Sequence, residues 1–168
     1  MLQFLRMRQG RRAAVAAITP HVEASRNRLD GIPDSVWLEP YMVGFMSMLI
    51  TLVAGRAANP LGQQAMGLVQ IGAWAKITGM KPELVGEEIC LLSSNSDCAF
   101  ATGCRNAAVF LEAYYGEPLA GEIANWARTG AEEPNIDRLH AGSDPAALWA
   151  HFFDTRIARM DYAGITNG

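Results

Sequence analysis

Apolar residues recur along this chain at helical rather than alternating spacing. Over 97–115, Phe100, Cys104, Ala107, Ala108, Leu111 and Tyr115 make one stripe, with Asp97, Arg105 and Glu112 elsewhere. Leu119, Ile123, Trp126 and Ala127 do the same over 118–129. So do Trp149, Phe152, Phe153, Ile157 and Met160 over 145–161. These three segments read as outer helices packing one face inward. Sustained apolar–polar alternation is missing, and Asn167-Gly168 has no strand after it, so no strand is expected.

Punctuation supports the same reading. Thr19-Pro20, Asn59-Pro60 and Asp144-Pro145 each set a capping side chain before a proline suited to the first helical position. Pro82 and Pro118 follow Lys81 and Glu117 in the same way. Gly79, Gly116 and Gly130 stand where helices should stop, because glycine accepts the left-handed position without a Cβ penalty. The pattern predicts about seven helices: 2–18 with a continuation over 20–29, then 40–57, 61–78, 82–93, 97–115, 118–129 and 145–161. That continuation is either a kinked extension or a separate piece. Asp30-Gly31-Ile32-Pro33 and Ser93-Ser94-Asn95-Ser96 are turns, and 130–144 is the longest loop.

The pair 40–57 and 61–78 differs from the rest. Between Pro40 and Met80 the only charges are Arg56 and Lys76. A helix apolar all round is enclosed on most sides, so these two are expected to form a buried central hairpin. Gly44, Ser47, Thr51, Gly55 and Ala58 add a small-residue stripe along which another backbone can approach. Tyr41 to Gly55 is uncharged, but its fifteen residues fall short of the roughly twenty that a membrane span needs. A core helix is the better reading. The whole chain, 1–168, is then expected to be one compact all-α domain, with 1–30 as a basic arm packed on or projecting from it. Covering two nearly uncharged helices with shorter ones is tight for 168 residues, and homodimerisation would relieve it.

Composition narrows the class. Half the residues are apolar and 18% are charged, at a net charge of −3, which excludes a disordered, collagenous or polybasic chain. Three cysteines, Cys90, Cys98 and Cys104, are too few and too odd for a disulfide scaffold, and point to free thiols in a reducing, cytoplasmic compartment. Arginines interrupt the first twelve residues, unlike a secretory leader. The charge is unevenly spread. Residues 1–30 carry six arginines against Glu23 and Asp30, a net +4, leaving −7 for the remainder.

Chemistry-bearing motifs are missing. There is no C-x-x-C, H-E-x-x-H, G-x-S-x-G or phosphate-cradling glycine loop, and His21, His140 and His151 are too scattered for a local metal motif. No catalytic residue, metal site or cofactor is therefore assigned. Cys104 lies in an apolar stripe and reads as structural. Glu83, Glu87 and Glu88 complement the dipole of the helix they open.

The basic N-terminus resists dismissal. Arg8, Arg11 and Arg12 share or neighbour one helix face, beside Phe4, Leu5, Val15, Ile18 and Val22. They form a solvated face, a site for an anionic protein partner, or a site for nucleic acid or an anionic membrane. The last pair is weakest, since so few arginines make few phosphate contacts. Three functions follow in order. The first is a non-enzymatic interaction or adaptor module recognising a protein through apolar surface and the basic helix. The second is a sensor holding a small apolar ligand among Trp37, Tyr41, Phe45, Met66 and Trp74, where methionine supplies adaptable surface. The third is an enzyme of unrecognised type using His151, Asp154 and Arg105.

Overall fold

In the computed structural model, residues 2–119 and 144–165 are described, with side chains described to residue 160. The chain is all-α. α1 (Leu2–Arg28) leads through a 3₁₀ turn (Asp34–Leu38) into α2 (Pro40–Ala58), followed by α3 (Gln63–Thr78), α4 (Pro82–Ser94) and α5 (Cys98–Tyr115). The last described rod is α6 (Pro145–Trp149), a π-helical turn (Ala150–Asp154) and α7 (Thr155–Ile165). Among the described residues every regular element is helical. The helix expected over 118–129, Gly130 and the 130–144 loop with His140 lie largely or wholly outside the described residues.

Of the three capping side chains expected before prolines, Asp144 alone caps its helix, accepting from the Ala146 amide at 3.1 Å with Pro145 behind it. Asp97 adds a cap that the pattern did not single out, accepting from the Phe100 amide at 2.8 Å. Pro82 opens α4. Gly79 (φ 81°) and Gly116 (φ 68°) close α3 and α5 in the left-handed conformation.

Two proline-capping readings need correction. Of the two forms open to 20–29 the chain takes the extension: α1 runs through Thr19-Pro20 to Arg28, with no new start there. The hydroxyl of Thr19 caps nothing and is buried without a partner. Ile18, Val22 and Ser25 are buried on the side facing the core, while Pro20 is exposed, so solvent can reach the Ala16 carbonyl that the ring leaves without a donor. Asn59-Pro60 does not open α3 either. Asn59 is the C-cap of α2, the Asn59–Pro60 peptide is cis, and Gly62 is the N-cap of α3.

α2 is the central helix. Met42, Val43, Phe45, Met46, Leu49, Ile50 and Ala54 have no exposed surface. By length and composition α2 could cross a membrane, but 67% of that stretch is buried inside the protein, behind α1, α3 and α5. α3 covers α2, and Gln70 links the two by donating to Thr51 Oγ1 at 2.7 Å. The two arms of the hairpin are nevertheless unequal. α3 buries Ala65, Val69, Ala73, Trp74 and Ile77, yet leaves Leu68 55% exposed. Its exposed positions are Gln63, Gln64, Leu68 and, in the last turn, Lys76, with Gly67 and Gly72 half-buried between them, so uncharged residues here are still solvated.

α5 lies deeper than its one-sided stripe suggested. It buries Gly103, Cys104 and the unbroken run Ala107 to Leu111, and packs most extensively on α2. The two backbones meet at glycines. A Cβ on Gly44 would overlap the Phe100 carbonyl, 2.8 Å from its carbon, and one on Gly103 would overlap the Tyr41 carbonyl and lie 2.7 Å from the Phe45 amide. The small-residue stripe of α2 thus admits α5 at Gly44. The matching signal on α5, Ala99-x-x-x-Gly103-x-x-x-Ala107, is a small-residue repeat that the apolar pattern concealed.

The π turn was not legible as a periodicity. Its widened spacing lets Trp149 and Asp154, five residues apart, reach the same group, Ser25.

These contacts set a sign test. Helix propensity alone makes Gly→Ala stabilising by up to about 1 kcal/mol, and Gly67→Ala, with open space around it, should gain that much in urea denaturation. Gly44→Ala and Gly103→Ala should each instead lose at least about 2 kcal/mol, because the methyl meets backbone that cannot step aside.

Candidate functional site

The six arginines of the N-terminal thirty residues divide into two groups. Arg26 pairs with Glu23 at 2.6 Å and donates to the carbonyls of Ile77 and Thr78, at 3.3 and 3.4 Å, satisfying the last turn of α3. Arg28 grips Asp154 at 2.7 Å. Both tie α1 to the body. Arg6, Arg8, Arg11 and Arg12 are exposed and form no ion pair with a described acidic residue.

Two of those four line a groove. Phe4, Met7, Arg8 and Arg11, at one-turn spacing on α1, face Leu68 and Val69 of α3 across a cleft of about 300 Å³. The cleft is apolar at its floor and cationic at its rim. Phe4 is 67% exposed and Leu5 55%. The Arg11 side chain lies across Gly72 of α3, where a Cβ would be 3.1 Å from Arg11 Cδ. Arg12, one turn beyond Arg8, continues the cationic edge. The sequence pointed to Arg8, Arg11 and Arg12 but not to the α3 wall, because Leu68 read as part of a buried helix.

The other nominated residues lie elsewhere. Trp37, Tyr41 and Phe45 are packed against the terminal rod: Trp37 against Phe153 at 5.9 Å, and Phe45 against Trp149, Phe152 and Phe153. Tyr41 donates its hydroxyl to the Phe152 carbonyl at 3.0 Å and accepts from Asn106 at 2.8 Å. Burial pushes that phenol up to about 12, which keeps it neutral. Arg156 lies 4.8 Å over its ring and pairs with Glu39, the N-cap of α2. Trp74 and Met66 belong to α3, and among the described residues Trp74 shares no ring contact with the other three.

The residues named for catalysis are not assembled around one point. Both oxygens of Asp154 are engaged, Oδ1 by the Ser25 hydroxyl at 2.5 Å and Oδ2 by Arg28. Trp149 Nε1 donates to the same Ser25 oxygen at 2.8 Å. His151 is exposed and touches the Phe152 ring edge-on, while Arg105 donates to Thr102 within α5. Among the described residues no three histidines, cysteines or carboxylates gather as metal ligands.

His21 has a role the sequence did not signal. Its ring stacks on Trp149 at 4.9 Å and meets Phe110 and Tyr114 edge-on. Burial, and secondarily the charge of Arg28, lower its pKa from the ordinary 6.5. Cys104 is buried, with its thiol 3.4 Å from the Gly44 carbonyl, and burial pushes it up to about 12; Cys90 and Cys98 are exposed.

No protein family, curated protein or solved structure matches this chain.

Two measurements follow. The folded pKa of His21 lies below its unfolded value, so between the two the unfolded chain holds the extra proton. His21 thus contributes fully above pH 6.5 and progressively less as pH falls through the folded pKa. Wild type minus His21→Phe stability, by urea denaturation from about pH 8 down to about pH 5, should shrink with acidification. A chromogenic disulfide reagent should titrate Cys90 and Cys98 rapidly in the native protein and Cys104 only after unfolding.

Proposed function

We propose that this protein is a non-enzymatic interaction module whose α1–α3 groove receives an acidic, amphipathic helix from a protein partner. The observation that carries the reading is the coincidence of exposed Phe4 and Leu68 with arginines that no described carboxylate neutralises. A helix laid in a groove offers apolar anchors one turn apart, and glutamates flanking them would meet Arg8, Arg11 and Arg12. Charge complementarity of that kind selects the partner and speeds encounter more than it tightens the complex.

A polyanion or a lipid surface fits less well. Three or four arginines make few phosphate contacts, the net charge of −3 repels anionic surfaces at long range, and a concave cleft suits a helix better than a flat bilayer. Three free thiols accord with a reducing, cytoplasmic setting.

The test uses two labelled helical peptides with the same leucine stripe, one flanked by glutamates and one by lysines. The glutamate peptide should bind, and Arg8→Glu with Arg12→Glu should weaken it about tenfold or more with little change in melting temperature. Equal affinity for both peptides, or cosedimentation with phosphatidylserine vesicles in place of peptide binding, would overturn the reading.

A further inference from the structure

α3 packs α1 on one side and α4 on the other: Gly72 lies under Arg11, and Gly86 of α4 lies under Ile71, where a Cβ would be 3.1 Å from Ile71 Cδ1. The three helices form a row whose edges are opposite in character. The α1 edge exposes Phe4 with Arg8 and Arg12. The α4 edge exposes Glu83, Leu84, Glu87 and Leu91, with Leu84 and Leu91 at 45% and 57% exposure. Glu83 and Glu87 join no ion pair among the described residues. Each edge therefore carries exposed apolar side chains beside charge that forms no ion pair among the described residues, and the two charges are opposite in sign. Their spacing also matches, since Arg8 and Arg12, like Glu83 and Glu87, are separated by one helical turn.

α4 is thus itself an acidic amphipathic helix, the class of ligand assigned above to the groove. We infer that the occupant of the α1–α3 groove is α4 of a second copy of this chain. A two-fold axis over α3 sets the basic α1 of each copy against the acidic α4 of the other, so both complementary contacts form at once and the assembly closes as a dimer. This inference rests on the groove taking acidic helices. It adds that the dimer and any outside acidic helix compete for the same surface.

Charge reversal tests it. Sedimentation velocity of the full chain at low salt should show a dimer that dissociates as salt is raised. Arg8→Glu with Arg12→Glu, and separately Glu83→Arg with Glu87→Arg, should each weaken the dimer about tenfold or more, since like charges then face each other twice. An equimolar mixture of the two variants should form heterodimers, and one chain carrying all four substitutions should dimerise again. Recovery of that kind excludes misfolding as the cause of the loss. A wild type that stays monomeric, reversals without effect, or a mixture that fails to associate would each overturn the proposal. The labelled glutamate peptide separates the two claims. If a monomeric wild type binds it, only self-occupancy falls. If the Glu83→Arg/Glu87→Arg chain, whose groove is open, does not bind it, the reading of the groove itself falls.

Discussion

The fold depends on two helices touching through their backbones. At Gly44 and Gly103 there is no side chain between α2 and α5, and the peptide groups of each lie against the α-carbons of the other. That approach brings the Cys104 thiol to the Gly44 carbonyl and Asn106 to the Tyr41 hydroxyl. It also fixes the position of Tyr41, whose hydroxyl holds the π turn of the terminal rod through Phe152. Dispersion between closely packed helices falls off within fractions of an ångström. A methyl group at either glycine would thus disturb the aromatic cluster behind it as well as the crossing itself.

What the sequence made legible was local. Asp144, Gly79 and Gly116 act as chain punctuation whose effect reaches only a few residues, and each does what its chemistry dictates. What it concealed was relational. The charge pattern misranks α3, half solvated though Lys76 is its only charge, against α5, which carries Arg105 and Glu112 yet packs deepest on α2. Lack of charge was a poor proxy for burial because glutamine and glycine are neutral and still wet. Pro20 misled for a related reason: its helix-breaking tendency is weak on a solvent-facing side when Ile18 and Val22 anchor the opposite face. The π turn escaped because it is recognisable only through its shared target, Ser25. Of the candidate site, the arginines were legible as a charge asymmetry, while the opposing wall at Leu68 required the tertiary pairing of α1 with α3.

Polar chemistry inside the protein is spent on joining elements. Ser25 receives the Trp149 indole and donates to Asp154, which Arg28 neutralises from outside. Glu39 caps α2 while binding Arg156, and Arg26 closes the end of α3. Satisfied groups of this kind fix geometry because each would be costly to leave unpaired. The contrast with the outer arginines of α1 follows from position. Toward its C-terminal end the arginines of α1 are matched by Glu23 and Asp154, whereas Arg6, Arg8, Arg11 and Arg12 meet no carboxylate among the described residues.

α1 is one continuous helix that buries Gly10, Ala14, Ile18 and Val22 against the body along its length and meets the terminal segment at Ser25. The groove and the aromatic cluster around His21, though they share no residue, are therefore built on the same scaffold element, and the spacing between them is fixed by the rise of a single helix.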